Sequence, residues 1–135
     1  MSEPTAASPR PRLRRLTVAA YTVFLAAVSL WPKPPDLPGQ WEVPNADKIA
    51  HTLLYAAYAW LMLWAARRGR ASSLGFATAV VVYGIAFGAL MEVLQATLDA
   101  PYRSGTIGDG VANAVGCLIG AGVFLLPQPR RAALQ

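Results

Sequence analysis

The sequence predicts an all-α polytopic membrane protein with four transmembrane helices and both termini in the cytoplasm. Three observations predict it. Only 14% of the 135 residues are charged, against about 25% in an ordinary soluble domain. The hydrophobic residues, 55% of the chain, gather into four nearly uncharged blocks. The arginines between the blocks then fall on a single side. This composition excludes a disordered chain, a coiled coil and an ordinary cytosolic enzyme, and the length is that of one domain. The lone Cys117 excludes an intrachain disulfide framework and a cysteine-based zinc site. Lying among Gly116, Leu118 and Ile119, it reads as a packing residue.

The first span is expected over 16–31, behind Arg10, Arg12, Arg14 and Arg15. A basic start and the small residues Ala27-Val28-Ser29 also suit a cleaved signal peptide, and Arg14-Arg15 a twin-arginine signal. Neither alternative moves the later loops. The loop from Pro32 to Asn45 carries five prolines and should be extended and stiff. The second span is expected over 47–66, where Asp47 and Lys48 add a turn to the block beginning at Ile49.

The third span is expected over 74–95, with room to continue to Leu98, and the fourth over 109–126. The apolar blocks alone reach about 24 to 27 Å, a little short of a ~30 Å hydrocarbon core, so these extensions matter. The polar loop 96–110 can fold back at the membrane edge. The organisation is thus a basic cytoplasmic tail (1–15), a four-helix membrane domain (16–126) and a cytoplasmic tail (127–135).

Orientation follows from the positive-inside rule. The four N-terminal arginines, Arg67, Arg68 and Arg70, and Arg130 and Arg131 share one side, leaving Lys33, Lys48 and Arg103 on the other. Asp36, Glu42, Asp47, Asp99 and Asp109 fall outside, and only Glu3 inside. Trp31 and Trp41 suit the outer interfacial belt and Trp64 the inner one. The expected protein is a multi-pass membrane protein with its arginine-rich side in the cytoplasm. The pI of 9.9 has this topological explanation, so a nucleic-acid partner is not expected.

Ionisable groups inside a span are expensive, so each is a functional hypothesis. At about 100° per residue, Asp47, His51, Tyr55 and Tyr58 share one stripe of the second helix. Gly84, Gly88, Glu92 and Gln95 share one of the third, and Asp109, Asn113, Gly116 and Gly120 one of the fourth. Both Gly-x-x-x-Gly pairs continue the stripes that carry the acids, so these stripes should face other helices. Asp47, His51, Tyr55, Glu92, Gln95, Asp109 and Asn113 are expected to form one cluster opening to the outer face, with Arg103 above it.

These residues resemble the VanZ-like family: Asp47-Lys48-x-x-His51 with Tyr55, then Glu92-x-x-Gln95, Arg103, Asp109-x-x-x-Asn113 and Gly116-x-x-x-Gly120, in the family's order. The resemblance covers about 75 residues, from Asn45 to Gly120. It implies a small four-helix bacterial envelope protein in a family named for members linked to teicoplanin resistance. It implies a fold and a setting more than a reaction.

Two readings of the cluster follow. In one, it binds or acts on an envelope lipid or lipid-linked cell-wall precursor, with an effect on glycopeptide susceptibility as the resemblance implies. His51, Glu92, Asp47 and Asp109 are then the candidate catalytic groups. Asp47, one turn before His51, would fix its tautomer, and Glu92, desolvated in the bilayer, would act as acid or second base. Arg103 and Lys48 would hold a phosphate or carboxylate headgroup, with Tyr55, Gln95 and Asn113 lining the substrate site. In the other, the same groups only hold the helices together. One imidazole with three carboxylates can also suit a hard divalent cation. A channel or transporter is less favoured, because no inverted repeat is visible.

Overall fold

The computed structural model describes residues 11–31, 43–66, 73–98 and 105–126. Arg103, most of the proline-rich loop, Trp41, the arginines at 10, 67, 68, 70, 130 and 131, and both chain ends lie outside them. The same holds for Lys33 and for the acids Glu3, Asp36, Glu42 and Asp99.

Four α-helices make up the described chain: α1 (Pro11–Leu30), α2 (Ala46–Ala65), α3 (Leu74–Thr97) and α4 (Ile107–Leu125). Helix α1 starts before the expected Leu16. Pro11 occupies the first helical position, where its missing N–H costs nothing, so Arg12, Arg14 and Arg15 ride on the helix. Helix α2 follows Asn45, which adopts the left-handed conformation at φ 57° that asparagine tolerates better than most residues. Helix α3 is capped by the Ser73 hydroxyl, which accepts from the Phe76 N–H at 3.2 Å. It runs on through Glu92 to Thr97, about 36 Å at 1.5 Å per residue.

Three of the helices, α1, α3 and α4, are long and apolar enough to cross a membrane. Helix α2 has the length, 20 residues, but not the apolarity. Its position supplies the reason. Helix α2 packs against all three others, whereas α1 and α4 do not touch among the described residues. The α2 polar residues Lys48, His51, Thr52, Tyr55 and Tyr58 are half-buried or buried on the side its neighbours cover, while Ile49, Leu53 and Trp60 stay exposed, so the polar face need not meet lipid.

Helices α2 and α3 form the centre and α1 and α4 flank them. Gly116 lies on the Thr52 carbonyl and Tyr55, and Gly120 on the Ala56 carbonyl, so α4 runs parallel to α2 at backbone contact. A Cβ at either glycine would collide with that backbone, which is the close approach small residues permit in lipid. Helix α3 runs antiparallel to α4, with Gly84 over the buried Cys117 sulfur and Gly88 over Asn113.

An aromatic layer fills the middle. Tyr58 stacks on Tyr21 at 6.0 Å, meets Tyr55 edge-on at 6.3 Å and lies 5.6 Å from Phe87. The Tyr21 hydroxyl donates to the Leu54 carbonyl at 2.9 Å, and those of Thr22 and Tyr58 bond at 3.0 Å. The outside is reversed in character: Val23, Phe24, Val82, Leu90, Val111 and Leu118 are all exposed, while Glu92, Gln95, Asp109 and Asn113 are buried. An apolar exterior, with the buried polar groups set beside an apolar core of Leu25, Leu63, Val80 and Cys117, suits a lipid solvent.

Candidate functional site

The helix directions bring the start of α2, the end of α3 and the start of α4 to the same end of the bundle. There His51, Glu92 and Asn113 join. Asn113, 1% exposed, donates its amide N–H to Glu92 Oε1 at 3.3 Å. Its Oδ1 then lies 2.9 Å from His51 Nδ1. Because that amide oxygen can only accept, Nδ1 carries a hydrogen, and the tautomer this bond selects is the one with its lone pair on Nε2.

The second carboxylate oxygen of Glu92 accepts from the Thr106 backbone N–H at 3.0 Å. This N–H belongs to the cap residue of α4, so the acid sits at a helix N-terminus, where the aligned peptide dipoles favour negative charge. The backbone also comes close here. Gly105 rests on the Glu92 carbonyl, and any Cβ at that position would overlap it. Thus His51, Asn113, Glu92 and Thr106 form one hydrogen-bonded run across three helix ends.

A second group borders the first. The Thr106 hydroxyl caps α4 by accepting from the Asp109 N–H at 3.1 Å and donates to Asp109 Oδ2 at 2.6 Å. The Lys48 ammonium lies 2.9 Å from Asp47 and 3.5 Å from Asp109 Oδ1. The latter is an ion-pair distance without hydrogen-bond geometry, since Asp109 Oδ1 is buried with no hydrogen-bond partner. Below them the Thr52 hydroxyl donates to the Lys48 carbonyl at 2.9 Å and reaches the Ala112 carbonyl at 3.3 Å, tying α2 to α4.

The sequence-derived cluster is therefore brought together in part. His51, Glu92 and Asn113 are joined directly, and Asp109 is joined through Thr106. Asp47 differs from expectation. It is solvent-facing on the first turn and pairs with Lys48, and the group on His51 Nδ1 is Asn113 instead. Gln95 differs too, because its amide donates to the Ser29 carbonyl of α1 at 2.5 Å. Tyr55 stands in the aromatic layer, beneath Asn113 at Gly88. Arg103 lies outside the described residues.

Among the described residues no three His, Cys, Asp or Glu side chains are grouped so that they could hold a metal ion. Thr106 was missed, although Thr106-x-x-Asp109 before an apolar run is the spacing of a helix-capping box. In the sequence Arg14 signals only topology. It is buried, with its guanidinium 5.2 Å from the Trp64 ring centre.

The model of the VanZ/LLP1 family matches residues 9–128. That is nearly the whole chain, so the protein belongs to this family. No curated protein and no solved structure matches it.

Proposed function

We propose that this VanZ/LLP1 family member crosses the bacterial inner membrane four times and uses its polar helix ends to hold the headgroup of an envelope lipid or lipid-linked cell-wall precursor at the outer leaflet. In this reading α2 is the fourth span, with its polar face turned to its neighbours and Ile49, Leu53 and Trp60 outward, and both termini are cytoplasmic. The positive-inside distribution of the arginines supports that orientation.

The observation that carries the proposal is the run from His51 through Asn113 to Glu92. It fixes the imidazole so that Nε2 is a lone-pair acceptor, able to take a hydrogen bond or a proton from a headgroup hydroxyl. Lys48 beside it supplies a cation for a phosphate or carboxylate. Glu92 is held by two donors and acts on the ring through Asn113, and Asp109 shapes the start of α4. An effect on glycopeptide susceptibility would follow if the bound molecule is a cell-wall precursor.

The test is His51→Gln. Glutamine can still donate to Asn113 but has no lone-pair nitrogen to accept a proton. The expected result is a protein that inserts and folds in normal yield, retains less copurifying lipid by native mass spectrometry, and loses any change in teicoplanin susceptibility that the wild type confers on its host. A second reading, in which the run only fastens helices, is favoured by the internal satisfaction of both Glu92 oxygens. It predicts that folded yield and phenotype fall together.

A further inference from the structure

The other end of the bundle carries a feature that the polar run does not explain. Between the start of α1, the end of α2 and the start of α3 lies a side-opening groove of about 590 Å³. It is lined by Val18, Ala19, Met62, Ala65, Ala66 and Phe76, together with Pro11 and Arg15. The volume is within the ~300 to 1,000 Å³ of ordinary small-ligand sites. One charged group over an apolar trough is the complement of an amphiphile with an anionic head.

The charge balance of this end points the same way. The acids among the described residues are Asp47, Glu92 and Asp109, all at the opposite helix ends. Arg12, Arg14 and Arg15 therefore have no carboxylate partner among the described residues. Arg14 is drawn over Trp64, and its Nε is buried without a hydrogen-bond partner. Arg15 is the exposed cation left beside the groove. In sequence, Arg67, Arg68 and Arg70 follow directly on the groove residue Ala66.

We infer that this groove is a binding site for an anionic phospholipid, with one acyl chain along Val18, Ala19 and Met62 and the headgroup phosphate on Arg15. The site is separate from the polar run. On the four-span topology it belongs to the cytoplasmic leaflet, whose anionic lipids attract basic residues at the membrane surface.

The experiment is native mass spectrometry of the full chain, exchanged from detergent into nanodiscs of equimolar phosphatidylglycerol and phosphatidylcholine. The wild type should retain phosphatidylglycerol in preference. Arg15→Gln should lower that preference about fivefold, the value of one basic group near a charged surface, while Arg15→Lys keeps most of it. Arg12→Gln, outside the groove, should leave it unchanged. Ala19→Trp should fill the trough and reduce retention of both lipids, with helix content by circular dichroism confirming a folded bundle. Equal retention of the two lipids by the wild type overturns the inference. So does an equal effect of the Arg12 and Arg15 variants, which would mark diffuse surface charge.

Discussion

Asn113 is the residue on which the polar run turns, and Asn113→Ala is its sharpest perturbation. Alanine suits the test because Gly88 and Tyr55 crowd the asparagine side chain, leaving little room for a larger apolar substitute. The change removes the bonds to His51 and Glu92. Interhelical hydrogen bonds in membranes contribute about 0.6 kcal/mol each, or roughly 1.2 kcal/mol for the pair. It also leaves Glu92 Oε1 without its donor inside the bundle. A buried acceptor so abandoned costs about 1–3 kcal/mol, so the expected loss is about 2–4 kcal/mol.

The assay is reversible unfolding in mixed micelles, followed by helical circular dichroism. Glu92→Ala, which removes the acceptor outright, is measured beside it, and then the double variant. Since both single changes damage the same bond, their effects should fall short of additivity by about 1 kcal/mol. An Asn113→Ala cost below about 0.5 kcal/mol would refute the reasoning. So would a cycle that closes to zero, because the two side chains would then be independent.

Further expectations concern the supports of the site. Gly120→Ala should cost about 1–3 kcal/mol by driving α4 off the Ala56 carbonyl, whereas Gly122→Ala, with open space around it, should be neutral or gain up to ~1 kcal/mol of helix propensity; the same unfolding assay reads both. Thr106→Ala should destabilise the start of α4 by about 0.5–2 kcal/mol and raise amide exchange at Asp109 and Gly110, while Thr106→Ser restores both. Trp64→Leu should remove the ring beneath Arg14 and lower stability by about 1–2 kcal/mol, seen as a lower unfolding midpoint. His51→Gln should spare the fold and remove lipid retention at the polar end, separately from the Arg15 groove.

Much of this arrangement was legible in the residues. Apolar blocks and their lengths predicted four helices, and the angular arithmetic put Glu92, Asn113, Gly84, Gly88, Gly116 and Gly120 on inward faces, where they are buried. The Gly-x-x-x-Gly pairs signalled close packing, and the packing is there. These properties are local. Helical periodicity and the cost of polar groups in lipid depend only on the residues of one segment.

Partners are a different matter, because they depend on how far each helix slides and which neighbour it meets. Spacing alone placed Asp47 one turn from His51, but Asp47 is on the exposed first turn, where Lys48 takes it, and the neighbouring helix brings Asn113 to the ring instead. Gln95 shares a face with Glu92 yet meets α1 at Ser29, since α3 touches two helices across that face. The Thr106 N–H reaches Glu92 because the start of α4 passes there; its capping spacing marks a helix start but not which acid that start meets. Sequence by itself determined which side chains turn inward; only the tertiary structure, through the rigid-body placement of the helices, decided which of them bond.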